Sequence, residues 1–291
     1  MSPSPFAGTP FSHFENNLNT NKIEFWSMQS NDASHPNNVT PKALAFLTSG
    51  GDSPGMNAAI RSIVRSAIQH HWMPYAVLEG FAGLISNNLK QLNWEDVTFI
   101  LGEGGTVIRS SRCPEFLQRE QRKKAVYNLA SRGIYNLIVI GGDGSLTGAE
   151  SLRQEWSAHV SELIEEGKLP KGAAAMHFSI IGLVGSIDND MCGTELTIGS
   201  NSSLHRIVES LDNITSTAMS HTRAFVIEVM GRHCGWLAMN AAIAIAADWV
   251  FVPEKPPGEH WAKEMCDQLE KVCANLIVCR IRGKWARRSL L

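Results

Sequence analysis

YNLIVIGGDGSLTGAESLRQEW, residues 135–156, decides the fold. Leu137 to Ile140 form an aliphatic run that ends in two glycines, an aspartate and a third glycine; apolar positions then return at helical spacing. A short apolar run closed by glycine reads as a strand buried on both faces, so the segment reads as strand, turn and helix. The unit recurs. ALAFLTSGG (43–51) and NAAIRSIVRSAIQHH (57–71) repeat it, and SIIGLVGSIDND (179–190) is a further buried strand ending in a polar loop. RAFVIEVMG (223–231), CGWLAMNAAIAIAAD (234–248), WVFVPE (249–254) and EHWAKEMCDQLEKVCANLIVC (259–279) continue the alternation of strand with helix. This pattern predicts an α/β fold, a mostly parallel sheet with helices on both faces. Ligands of such sheets bind beyond the carboxyl ends of the strands, and every Gly- or Asp-rich loop above lies at such an end. The loops are expected to converge on one cleft.

The bulk numbers exclude several function classes. A length of 291 residues with 44% hydrophobic content suits one large or two medium globular domains. The net charge of -2 supplies no global field for nucleic acid or an anionic membrane, so neither is expected as a partner. The longest apolar stretches, such as AAIAIAADWVFV (241–252), fall short of the roughly 20 residues a bilayer requires. Residues 1–41 are rich in Ser, Asn, Pro and Thr and are read as a disordered tail. Within the first forty residues Lys22 is the one basic residue, which resembles neither a secretory signal nor a transit peptide, and a cytoplasmic location is expected. Six cysteines without C-x-x-C spacing argue against zinc and disulfides and for reduced, mostly buried thiols.

The loops carry the chemistry. In TSGGDSPGMN (48–57), glycines let backbone amides approach an anion and a helix starting near Gly55 or Met56 adds its positive end; the other reading is a tight turn. GGDGS (141–145) has the same form plus Asp143. A carboxylate beside phosphate-binding amides repels the ligand unless a cation intervenes, which makes Asp143 a candidate Mg²⁺ ligand. Asp188 and Asp190 cannot both ionise cheaply in a dry cleft. Either one has a raised pKa and serves as a base, or both share a cation and a substrate hydroxyl; an Asx-turn is the third reading. Arg112, Arg223 and Arg232 are candidate phosphate clamps or surface ion-pair partners, and His221 and His233 are candidate assistants or packed rim residues. The set fits phosphoryl transfer from a nucleotide to a hydroxyl. The P-loop signature and the protein-kinase HRD and DFG motifs are absent.

TSGGDSPGMNAA, SSRCPEF, GGDGSLTGA, GSIDND, SHTRAFVIEVMGRHCGW and FVPE, in this order over about residues 42–275, resemble the ATP-dependent 6-phosphofructokinases. EWSAHVSELIEEGKLPKG (155–172) resembles an insertion of the fungal and animal enzymes. The resemblance implies that Gly51, Arg112, Cys113, Gly142, Asp143, Gly144 and Ser145 hold ATP, with Asp143 on Mg²⁺. It implies that Asp188 is the base for the 1-hydroxyl of fructose 6-phosphate, with Ser186, Ile187 and Asp190 beside it. Met230, Gly231 and Arg232 would contact the sugar phosphate, and Arg223 would reach it across a subunit interface of a homo- or hetero-oligomer. Gly144 and Gly185 match the ATP-using rather than the pyrophosphate-using members. The implied organisation is an ATP/Mg domain over 42–199, an incomplete sugar-phosphate domain over 200–279 and a divergent tail over 280–291.

Three departures stand out. Arg109 and Ser111 occupy positions where the family has glycine and alanine, so a side chain is expected to crowd the nucleotide, and Glu195 replaces an aspartate. After ANLIVC the chain reads RIRGKWARRSLL, with no counterpart of the family's sugar-binding glutamate. The nucleotide half-site is thus expected to persist with slow turnover and an exposed sheet edge. The alternatives are a non-catalytic nucleotide-binding or assembly module, or another GGDG-bearing kinase acting on NAD or a lipid.

Overall fold

The computed structural model describes residues 42–221, 223–272 and 277–281. The tail read over 1–41 lies outside the described residues, as does 282–291. β1 (Ala43–Ser49) is buried along its whole length and sits centrally in a six-stranded sheet of order β3-β2-β1-β4-β5-β6. The others are β2 (Met73–Val77), β3 (Leu89–Gln91), β4 (Asn136–Gly141), β5 (Ser179–Ser186) and β6 (Ile198–Gly199). All pairings are parallel except β2 with β3.

Burial on both faces explains the unbroken apolar runs. Leu44 and Phe46 of β1 face α1 (Met56–Gln69), whose Met56, Ile60, Val64 and Ala67 form one stripe. Ala43, Ala45 and Leu47 face the opposite layer, built by α2 (Gly80–Ser86), α3 (Arg119–Ala130) and α4 (Asp143–Glu165). There Ala149, Leu152, Trp156, Val160 and Leu163 follow the helical repeat, and Trp156 stacks on Phe178 at 3.7 Å between ring centres.

All strands of a second, parallel sheet lie after residue 200, in the order β7 (Phe225–Val229), β9 (Ile277–Ile281), β8 (Trp249–Val250). α5 (Ser200–His221) and α6 (Trp236–Ala244) supply its small core through Leu211, Ala238, Ala241 and Ala242; α7 (Trp261–Val272) precedes β9. β9 runs to Ile281, so the stretch read as a divergent tail from 280 begins inside a strand. The cysteine expectation is corrected too. Cys113, Cys192, Cys234 and Cys266 are free as expected, but none is buried, because they lie in loops and on helix surfaces instead of the sheet's core.

From β1 the chain moves to β2 on one side and later crosses to β4 on the other. The loops leaving β1 and β4 therefore diverge, and a crevice opens between them. No helix among the described residues is long and apolar enough to cross a membrane. Phe46 is fully buried at the centre of this arrangement. Phe46→Ala is expected to cost about 3–5 kcal/mol, read as a lowered denaturation midpoint with an unchanged denaturant slope.

Candidate active site

A cleft of about 630 Å³ lies at the carboxyl ends of the first sheet. The β1 loop contributes Gly51 and Asp52; the start of α4 contributes Gly142, Asp143, Gly144 and Ser145. Ser186, Ile187 and Asp188 enter from β5, Met230 from the end of β7, and Arg112 and Cys113 from the segment before α3. Of the fifteen residues to which the resemblance assigns a role, eleven share one cavity, and the candidate histidines His221 and His233 do not line it. Asp190, Arg223, Gly231 and Arg232 fall outside its lining.

Glycine serves two purposes here. A Cβ on Gly141 would lie 2.6 Å from the Ser49 carbonyl oxygen, so that glycine permits β1 and β4 to close on each other. Around Gly51 and Gly144 there is no protein atom within 4 Å of a Cβ position, so packing does not require glycine there. Both line the cleft, so this open space leaves room for a ligand to lie against the backbone. The expectation that the start of α1 meets the anion is corrected: the lining stops at Asp52, and Gly55, in a left-handed conformation, turns α1 against Ile198 instead. The start of α4 takes that place, with the amides of Asp143 and Gly144 and the positive end of a 23-residue helix, while the amides of Ser145 and Leu146 donate to the Gly142 carbonyl. Asp143 is its first residue and is exposed to the cleft, which Arg112 also lines.

The two carboxylates of the β5 loop prove unequal. Ser186 Oγ donates to Asp190 at 2.8 Å and accepts the Asp188 backbone N–H at 3.2 Å, which turns Asp190 outward and Asp188 inward. Asp188 Oδ1 is buried with no hydrogen-bond partner. Burial first, then the Asp190 charge, pushes the Asp188 carboxyl above the usual carboxylate range, opposed by Arg232 and His233. An acceptor without a donor, facing a cleft, is satisfied by a ligand hydroxyl. Asn189 holds the loop: its backbone is left-handed at φ 54°, and its side chain accepts the Thr197 N–H at 2.9 Å and donates to the Glu195 carbonyl at 3.1 Å. Glu195 thus enters the loop through its backbone.

The apolar side of the cleft carries residues that sequence reasoning passed over. Phe81 and Phe116 stack at 4.0 Å, and Leu117 lies beside them. A phenylalanine in SSRCPEF gives no signal by itself; its position opposite the amide-rich loop does. Arg109 does not crowd the cleft. It adopts φ 62°, a conformation glycine takes without strain, and its guanidinium reaches Glu79 at 3.3 Å, away from the lining. Ser111 Oγ donates to the Glu79 carbonyl at 2.7 Å, so its hydroxyl fastens the same turn. Burial pushes the Cys113 thiol pKa up, leaving it a neutral wall residue.

Asp188 is ionised, and so able to accept a proton, only above its raised pKa. Asp190→Asn is expected to lower that pKa and Arg232→Gln to raise it, as read by carboxyl NMR titration of Asp188. An unmoved titration in both variants contradicts the coupling.

Residues 43–283 match the family model described as Phosphofructokinase. The bovine liver-type ATP-dependent 6-phosphofructokinase is 54% identical over 232 residues, 78% of this chain and 30% of that protein. The human muscle-type enzyme is 53% identical over 79% of this chain and 30% of its own length. The phosphofructokinase structure from Saccharomyces cerevisiae superimposes with a TM-score of 0.78 at 51% identity, covering 82% of this chain and 33% of that one. The chain therefore spans about a third of the length of these relatives. With a family model matched along its two sheets and the motif loops gathered in one cleft, the chain belongs to the phosphofructokinase family.

Proposed function

We propose that this chain forms the nucleotide side of a 6-phosphofructokinase active site, in which the γ-phosphoryl group of ATP passes to the 1-hydroxyl of fructose 6-phosphate. The observation that carries the reading is that Asp143 and Asp188 face one cavity, the first at an amide cradle and the second with an unsatisfied acceptor. ATP, rather than another phosphoryl donor, is supported by the names of relatives more than 50% identical.

The residues divide the work. Gly51, Gly142, Asp143 and Gly144 hold the phosphates through backbone amides, Ser145 closes the turn by donating its N–H to the Gly142 carbonyl at 3.0 Å, and Arg112 adds a positive charge over the same space. Phe116 and Leu117 present an apolar wall to the base. Asp188 accepts the hydroxyl proton while the sugar oxygen bonds to the γ-phosphorus and the bond to the bridging oxygen breaks, releasing ADP. Ser186 and Ile187 flank it, and Asp190 keeps its pKa raised. Magnesium, when bound at Asp143, would neutralise the phosphate charge facing that carboxylate. The donor set fits such an ion: Asp143 offers one exposed carboxylate beside the amide cradle, and phosphate and water would fill the rest of its shell.

Met230 carries the sugar side in this cleft, with Gly231 and Arg232 just beyond it. Arg223 is exposed at the start of β7 and outside the lining, which suits the family role of reaching a neighbouring subunit's sugar phosphate in a cytoplasmic oligomer. The sparse sugar side also favours a second reading, a nucleotide-binding module without turnover.

Two substitutions test these readings. Asp188→Asn is expected to reduce kcat on the order of 10²-fold or more with little change in ATP affinity. ATP binding without measurable phosphotransfer in the unsubstituted chain supports the module instead. Gly144→Ala separates folding from binding: in the first turn of α4 it is expected to stabilise the helix by about 0.5–1 kcal/mol, yet weaken ATP by filling the open space of the cradle. A substitution that leaves ATP affinity intact contradicts the cradle.

A further inference from the structure

Arg122 is placed where one side chain touches both walls of the cleft's support. It lies in the first turns of α3, with its side chain 11% exposed. Nε and Nη2 each donate to one carboxylate oxygen of Glu155 on α4, both at 2.7 Å. Nη1 donates to the carbonyls of Phe116 and Leu117 at 2.8 and 2.7 Å. Those carbonyls end the one-turn 3-10 segment Pro114–Leu117, where backbone acceptors lack partners of their own. That segment is the apolar wall of the cavity, while α4 begins at Asp143 in the phosphate cradle.

We propose that Arg122 is a positioning residue for the nucleotide base, setting the Phe116–Leu117 wall at a fixed distance from the phosphate loop by bonding both to α4. The inference rests on the nucleotide reading of the cleft. Four donated hydrogen bonds in one plane suit guanidinium alone; an ammonium, with three donors on a point charge, cannot span the carboxylate and both carbonyls. The carboxylate is held in turn: Arg122 first, then His159 Nε2 at 3.0 Å, keep Glu155 ionised down to about pH 2. His159 itself is fully buried, so the clamp is anchored in the core. Neighbouring ion pairs, Lys123 with Glu162 and Glu166, also join α3 to α4 but touch neither carbonyl of the wall. That difference allows a helix-docking role to be told from a positioning role.

The experiment compares calorimetric titration with ATP and with inorganic tripolyphosphate, each with magnesium, in the full chain. Tripolyphosphate fills the cradle but has no base to meet the wall. Arg122→Lys is expected to weaken ATP about tenfold while changing tripolyphosphate affinity less than about twofold. Lys123→Met is expected to lower the unfolding midpoint and leave ATP affinity unchanged. Should Arg122→Lys fail to fold, Glu155→Gln, which removes the charge and keeps the shape, is expected to shift the same ratio in the same direction. Equal weakening of both ligands, no weakening of either, or an equal loss of ATP in Lys123→Met overturns the positioning role. An unsubstituted chain that binds neither ligand overturns the nucleotide reading itself.

Discussion

The parallel pairing of β1 with β4, which sets Ser49 against Gly141, is the constraint on which the site depends. The strands close so tightly at this point that a single methyl group on Gly141 would collide with the Ser49 backbone. The next residues must turn away from each other, one loop toward α1 and one into α4. Two glycine-rich turns so placed leave their amides facing a common space. Register matters as much as direction. A slip of one residue would reverse the faces of β4, moving Val139 from the layer of α4 to that of α1 and Asp143 off the crevice. Because β5 is read against β4, with Gly141 opposite Val184, the position of Asp188 derives from the same alignment.

Within that frame, the paired carboxylates are not interchangeable. One serine hydroxyl distinguishes them: it donates to Asp190 and accepts from the backbone of Asp188. Asp190 is satisfied and sits outside the cavity, whereas Asp188 keeps an oxygen buried and unpaired within it. The unpaired atom costs folding stability, roughly 1–3 kcal/mol for a buried unsatisfied polar group. Such a cost is tolerated where a ligand supplies the missing donor. The raised pKa has the same origin, burial reinforced by a like charge. Strain, protonation and position are thus one arrangement seen through three observables.

Much of this was legible in the residues, and the reason is periodicity. β1 and β4 are buried on both faces, so their runs are continuous and end abruptly at glycine, and β5 carries a run of the same kind although it is only partly buried. β2 was harder to read, since Pro74 lies inside it. The loop residues facing the cleft were found because glycines and carboxylates cluster together at the ends of several strands that share one edge of the sheet. The apolar wall was not. Phe81 and Phe116 look like any core aromatic in the chain, and only the fold shows that one edge of their stack borders the cavity. Arg122 and Asn189 escaped for a related reason: their partners are backbone carbonyls and amides, which leave no pattern in side-chain identity. Arg109 misled in the opposite sense. A residue in a glycine position suggested an intruding side chain, yet the left-handed backbone directs it outward to Glu79.

The outer edge of β5 shows what holds Asp188 in place. β6 pairs with it at Gly185 and Ser186 alone, and no other strand among the described residues covers the span 179–184 on that side. Ile181 is accordingly 54% exposed in the middle of what the sequence presents as a buried strand. An open edge of this kind is free to take up a further strand or to associate with another chain. The end of the strand that faces the cleft does not share that freedom. Thr197 donates to the Ser186 carbonyl at 2.6 Å, Asn189 ties the following turn to residues 195 and 197, and Cys234 reaches the Asn189 carbonyl at 3.6 Å. These bonds close within the loop and across to the second sheet's side of the cleft, so they survive whatever lies along the edge. The geometry of the carboxylate is therefore set by its own turn, and the uncovered strand beside it can vary without displacing the group that faces the cleft.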